Sequence, residues 1–197
     1  YLRKKCSQVI SQPIKGTAPR GMDAQADEAL KLHLQNDPKE RAENIMIVDL
    51  VRNDLSRIAK KGSVQVSELC GIHTFETVHQ MISTVECEVE QDLPFMDILK
   101  ASFPMGSMTG APKVEAMKII DETEDFNRGI YSGSVGYISP NGDFDFNVVI
   151  RSMIYNREKK YLSCAVGGAI TILSDPEKEF EECQTKIQKI LNGMYAE

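Results

Sequence analysis

The sequence predicts an α+β fold of antiparallel strands and packed helices, on three observations. Residues 63–90 alternate apolar and polar side chains through SVQVSELC and TFETVHQMISTVECEVE, the period of a half-buried strand. Asn141-Gly142 separates the runs SGSVGYIS and FDFNVVIRSMI and supplies the positive φ angles of a tight hairpin turn. Residues 22–60 and 176–194 instead carry the spacing of helices.

Taken in order, YLRKKCSQVISQP reads as one strand already in progress at Tyr1. With no initiator methionine, the chain is expected to be a piece of something longer. PIKGTAPRG reads as a turn, and it holds Lys15 between Pro13-Ile14 and Gly16-Thr17, an unusual setting for a surface lysine. Two helices follow, broken at Asp37-Pro38, where proline suits the first turn of a new helix. After the strands of residues 63–90, Pro94 begins a short helix through Leu99, and SFPMGSMTGAPK forms a glycine-rich turn with Pro112 placed to open another. The hairpin around Asn141-Gly142 comes next, then YLSCAVGGAITI as a further strand, then the closing helix from Pro176 to Met194. No internal repeat or low-complexity linker interrupts the chain, so one domain over residues 1–197 is expected.

Composition narrows the function. A hydrophobic fraction of 42% over 197 residues covers a proper core. The net charge of −6 argues against nucleic acid, whose binding rests on a basic surface. Apolar runs such as IMIVDLV are too short to span a bilayer, and no charged-then-apolar leader opens the chain. Cys6, Cys70, Cys87, Cys164 and Cys183 lack any CxxC spacing, which predicts reduced thiols and a cytoplasmic setting without membrane attachment.

Two helices offer carboxylate pairs. Glu40 and Glu43 share a stripe with Ile47, Leu50, Asp54 and Ile58 at helical spacing. Ionised acids on a buried face cost several kcal/mol unless a cation or donors meet them; alternatively both sit exposed in the first turn, where the helix dipole favours acids. In the last helix Phe180, Cys183, Ile187, Ile190, Leu191 and Met194 define an apolar face, with Glu179, Glu182 and Lys186 in a second stripe beside it. Such pairs supply the hard oxygen ligands that Mg²⁺ prefers, or they are a solvated face.

SFPMGSMTGAPK lacks the Gly-Lys-Ser/Thr ending of a nucleotide phosphate loop, and that function is excluded. Ser107, Thr109 and Gly110 can donate to a carboxylate or cap the following helix. Arg151 ends an apolar run, VVI, and is expected buried, with either a substrate carboxylate or Asp143 or Asp145 in its fork. Gly167-Gly168 marks a close approach of ligand or backbone, or a bulge.

Taken together, PIKGT, IVDLVRNDL, FPMGSMTGAPKVEAMKIIDE, GIYSGSVGY with GDFDFNVVIRS, and VGGAIT followed by EFEECQTK resemble the chorismate-utilising enzyme family, in that family's order over nearly the whole chain. The resemblance implies a sandwich of two antiparallel sheets flanked by helices, of which this chain would be the carboxy-terminal part. It implies Mg²⁺ at Glu43 and Glu182, holding the ring carboxylate of chorismate, with Glu40 and Glu179 in support. Tyr131 and Arg151 match positions that bind the enolpyruvyl carboxylate, with a backbone amide from Gly167. Lys186 matches a substrate-side lysine, and Gly16 and Thr17 line the ring pocket.

Within that family the residue at Lys15 separates activities. Members resembling PIAGT, with alanine, form anthranilate and release pyruvate. Members with PIKGT replace the C4 hydroxyl of chorismate by an amino group, towards para-aminobenzoate and folate, with ammonia from a separate glutamine amidotransferase subunit. There the lysine is thought to attack C2 and expel the hydroxyl, splitting one difficult displacement into two, and its amine must be neutral to do so. The latter activity is therefore expected, with anthranilate formation as the alternative and a non-catalytic chorismate-binding piece as a third. Three departures accompany the likeness: Gln80 replaces a family histidine, with His79 displaced by one residue to the opposite strand face; Ala169 stands where many members have glycine; and a family SPE segment bearing a general acid would lie upstream of Tyr1.

Overall fold

The computed structural model describes residues 1–172 and 174–195. They fall into two compact units, Tyr1–Asp125 with Val135–Asn147, and Phe126–Ser134 with Val148–Glu197.

The first unit runs β1 (Leu2–Lys5), β2 (Gln8–Ser11), β3 (Ile14–Pro19), α1 (Ala24–Asn36), α2 (Pro38–Ser56), β4 (Gln65–Thr74), β5 (Val78–Glu88), α3 (Phe95–Ser102), a 3₁₀ turn (Gly106–Met108), α4 (Lys113–Thr123), β6 (Ser134–Ile138) and β7 (Phe144–Val148). Its sheet follows the order β3-β5-β2-β1-β7-β6, with β4 added along β5. The α+β class is as predicted, and β5 is the hub, pairing antiparallel with β2, β3 and β4.

Local chemistry explains the helices. Asp23 caps α1 by accepting from the Ala26 amide at 2.8 Å. Asp37 caps α2 by accepting from the amides of Lys39 and Glu40, while Pro38 opens that helix with its fixed φ. Pro112 is the residue just before α4 and provides no side-chain cap.

The core of this unit packs Leu2, Val9, Val48, Leu55, Val85, Cys87, Val89, Ile98 and Phe144. Each fully buried aliphatic side chain contributes about 1.5–3 kcal/mol relative to exposure. Phe95 stacks on Phe146 and meets Phe144 edge-on, with ring centroids 5.0 and 5.1 Å away. A second cluster of Leu34, Cys70 and Met81 lies beneath Ala18 and Ile72.

In the second unit β8 (Met153–Asn156) pairs antiparallel with β9 (Tyr161–Cys164), and α5 (Pro176–Tyr195) follows. Asp175 accepts from the amides of Glu177 and Lys178 and fixes the start of α5. Cys183, Ile187, Ile190 and Leu191 are half-buried. Phe180, expected on the same apolar face, is 64% exposed, and the side chain of Met194 lies outside the described residues.

Four local expectations are corrected. The opening strand is a hairpin that turns at Cys6, which adopts φ +54° without any glycine; the Asp143 carboxylate holds the turn by accepting from the Cys6 amide at 2.7 Å. PIKGTAPRG is a strand rather than a turn, because a β-bulge absorbs the positive φ of Gly16. YLSCAVGGAITI keeps strand form only as far as Cys164. Arg151 is an exposed residue at a left-handed bend, φ +49°, past the end of β7.

All five cysteines are free thiols. Among the described residues no helix is long and apolar enough to cross a membrane.

Candidate active site

In the first unit the site starts from the β3 bulge. Ile14 pairs with Ile82 and Thr17 with Gln80, so Lys15 and Gly16 together stand opposite Met81. The extra residue re-aims the strand, and the Lys15 ammonium reaches α2, where Nζ lies 3.9 Å from the Glu43 carboxylate. Their side chains are 20% and 11% exposed.

Gly16 is required twice over. Its φ of +87° suits no other residue well, and a Cβ there would lie 3.1 Å from both the Glu40 carboxylate and Leu34 Cδ1. The strand thus presses directly on the Glu40 side chain.

The acidic stripe is rotated from the expected one. The buried residues of α2 are Asn44, Ile47, Val48, Asp54 and Leu55, which leaves Glu40 and Glu43 half-buried at the border of the packed face. Asp54, deeply buried, is met by the Lys113 ammonium at 2.5 Å. Burial pushes the Asp54 carboxyl up from its ordinary range, against the pull of Lys113. This ion pair fastens the start of α4 to α2. Gly106 lies flush on the same helix, since a Cβ there would come within 3.0 Å of Leu50.

Between those anchors, Ser107 is half-buried in the 3₁₀ turn. The Thr109 hydroxyl donates to the Met105 carbonyl at 3.1 Å rather than capping α4. Thr17 is exposed. It shares the Gln80 face of the sheet, opposite the one on which His79 and Met81 meet the helices.

His79 is wholly buried, with one ring nitrogen on the Asp27 carboxylate at 2.9 Å and the other on the Thr74 hydroxyl at 3.0 Å. Both nitrogens are engaged in structure. The Arg20 guanidinium, gripping both oxygens of Asp27, holds that carboxyl far below the usual range, helped by the Gly21 amide and His79.

The second unit assembles the other expected residues except Arg151. Lys186 donates from Nζ to the Gly167 carbonyl at 2.9 Å and pairs with Glu182 at 2.6 Å. A Cβ on Gly167 would lie 2.8 Å from the Tyr131 hydroxyl, and one on Gly168 would lie 3.0 Å from the Glu179 carboxylate. The two glycines are therefore places of close side-chain approach. Glu179 is 8% exposed and accepts from the Ser174 hydroxyl at 2.9 Å.

Each unit carries carboxylates of its own. Glu43 and Glu40 flank one end of α2, and Glu179 and Glu182 lie on α5. Among the described residues no three His, Cys, Asp or Glu side chains gather as a ready-made cage. Mg²⁺ is commonly held by one or two carboxylates, with water and substrate oxygens completing its shell. Sequence reading missed Asn44, Ser83, Lys113 and Ser174; the one available signal was Asn44, a polar residue set among the apolar positions of α2.

Comparison with known proteins bears on this arrangement. Aminodeoxychorismate synthase, chloroplastic, from Arabidopsis thaliana is 47% identical over 184 residues, covering 93% of this chain and 20% of that protein. Aminodeoxychorismate synthase component 1 from Escherichia coli is 44% identical over 188 residues, 95% of this chain and 41% of that protein. The crystal structure of anthranilate synthase component I from Streptococcus pneumoniae superposes with a TM-score of 0.80 at 37% identity, covering 94% of this chain and 40% of that one. The chain thus spans well under half the length of these relatives. The model of the chorismate binding enzyme family matches residues 1–192, and the chain belongs to that family.

Proposed function

We infer that the protein containing this chain is an aminodeoxychorismate synthase, replacing the C4 hydroxyl of chorismate by an amino group, towards para-aminobenzoate and folate. The observation that carries this reading is Lys15 itself, turned by a bulge into a half-buried setting beside the Glu43 carboxylate. Names of relatives at 44–47% identity support it.

In this reading the neutral Lys15 amine attacks C2, both ring double bonds shift (C1=C2 to C1=C6 and C5=C6 to C4=C5), and the C4–O bond breaks as the hydroxyl leaves with a proton as water. Ammonia then attacks C4, both double bonds return to C1=C2 and C5=C6, and the C2–N bond breaks to release the amine of Lys15. Gly16 and Thr17 belong to the ring pocket of this proposal, and Ser107 and Thr109 to the binding of a substrate carboxylate. Tyr131, Arg151 and Gly167 belong to its enolpyruvyl-carboxylate side, with Lys186 as a further substrate-side lysine. Mg²⁺ would be held by Glu43 and Glu182, supported by Glu40 and Glu179, and supplies charge neutralisation for the ring carboxylate when bound. The words "component 1" in the name of the bacterial relative support a second component, a glutamine amidotransferase that delivers the ammonia. Free thiols suit the cytoplasm, although the plant relative is named chloroplastic.

The likeness to anthranilate synthase component I makes anthranilate formation the rival. Chorismate, ammonium and Mg²⁺ are supplied to the protein, and pyruvate is assayed with and without a separate lyase. Pyruvate appearing without the lyase favours the rival. Intact mass after chorismate addition should show an adduct that Lys15→Ala abolishes; an adduct surviving that substitution removes Lys15 as the nucleophile. Chorismate binding by calorimetry without any turnover would reduce the chain to a binding piece.

A further inference from the structure

Asn44 stands in the middle of the packed face of α2, among Ile47, Val48 and Leu55, and is completely buried. A buried amide is unfavourable there unless every polar atom finds a partner. Its Oδ1 accepts from the Ser83 hydroxyl in a short contact, and from the Cys70 thiol at 3.7 Å. Its Nδ2 donates to the Met81 carbonyl at 3.4 Å. Ser83, equally buried, accepts from the Cys70 amide at 2.8 Å, where Cys70 takes φ +53° in the irregular part of β4. One side chain therefore joins α2 to two strands.

The points it joins are specific. Met81 is the β5 residue that faces the Lys15–Gly16 bulge. Glu43 is the residue immediately before Asn44 in the helix, and Glu40 lies one turn back on the same side. Apolar contacts alone let a helix slide and rotate over a sheet by fractions of an ångström at little cost, whereas a fully satisfied polar network admits one setting. Exchanging such a network for well-packed apolar groups is often neutral for stability. Its use here is geometrical.

We propose that Asn44 and Ser83 are positioning residues, which set the rotation of α2 over β5 and so hold the Glu43 carboxylate at its working distance from the Lys15 amine. This rests on the reading of Lys15 as nucleophile. Neither residue touches substrate; both act through Glu43.

The test uses Asn44→Leu and Ser83→Ala, separately and together, in the protein as isolated, with thermal melts to verify folding. Misplacement of reacting groups by about 1 Å costs on the order of 100-fold in rate. Each single variant should lower kcat by about 10- to 100-fold with KM for chorismate within about threefold. The double variant should be no worse than the poorer single one, as expected for groups acting as one unit. Independently of turnover, the rate of reductive methylation at Lys15, read by peptide mass, should change in both variants while that at exposed Lys118 stays the same. Turnover within threefold of the parent, or an unchanged Lys15 methylation rate in folded variants, overturns the proposal. If Lys15→Ala and Glu43→Gln abolish turnover while Asn44→Leu does not, only the positioning role is lost. Retained turnover in Lys15→Ala would instead sink the reading of the site.

Discussion

Replacing Lys113 by methionine tests the anchor between α2 and α4. The ammonium lies 2.5 Å from Asp54, with side-chain exposures of 15% and 5%. At that distance the direct attraction is about 6–7 kcal/mol for an effective dielectric constant near 20, most of it offset by desolvation of both ions. Removing one partner of a buried pair costs about 3–5 kcal/mol, because the other charge is stranded. Asp54 can escape that cost by taking a proton. Burial already raises its carboxyl, and Lys113 opposes the rise, so the variant should raise it further.

A carboxyl raised above its unfolded value favours the fold fully at pH below the unfolded value, and this contribution fades as pH climbs through the folded one. The deficit of Lys113→Met should therefore be small at about pH 4 and reach about 3 kcal/mol at about pH 8. Guanidinium denaturation at both pH values and constant salt measures it. Asp54→Leu combined with Lys113→Met should recover most of the loss. Equal deficits at the two pH values, or a deficit under about 1 kcal/mol at the higher one, would refute this account of the pair.

Gly16→Ala forces a side chain into the left-handed region at φ +87° and against Glu40; a loss of about 1–2 kcal/mol in denaturation, together with weaker Mg²⁺ dependence of turnover, is expected. The carboxyl of Asp27 is depressed, chiefly by Arg20, so the stability it brings is present above the ordinary carboxylate value of about 4 and is lost as pH falls towards the depressed one. Asp27→Asn should accordingly flatten the acid side of the stability profile in urea melts, and a profile as steep as the parent's contradicts the assignment.

Periodicity placed the helices well, because Asp23, Asp37 and Pro38 act through local backbone chemistry that a sequence displays. It failed at Cys6 and Gly16, where distant partners decide the conformation: Asp143 for the first turn, and Glu40 and Leu34 for the bulge. The α2 stripe was misjudged for a related reason. Asn44 looks polar in isolation and becomes a core residue only when Ser83, Cys70 and Met81 satisfy it. Lys15 was legible as a residue of interest, but its approach to Glu43 depends on a strand register that no local pattern encodes. In the second unit the glycine pair advertised close approach, while Glu179 as the group approaching Gly168 emerged only from the structure.

The pairing of β1 with β7, Leu2 against Phe146 and Lys4 against Phe144, joins segments from opposite ends of the first unit. During synthesis the early strand must wait for its neighbour until nearly all the intervening chain has left the ribosome. Until then Leu2 has neither Phe144 nor Phe146 beside it, and one edge of the β1–β2 hairpin stays open to strangers. Nascent chains stalled before Phe144 should therefore need chaperone protection that chains released beyond Val148 do not.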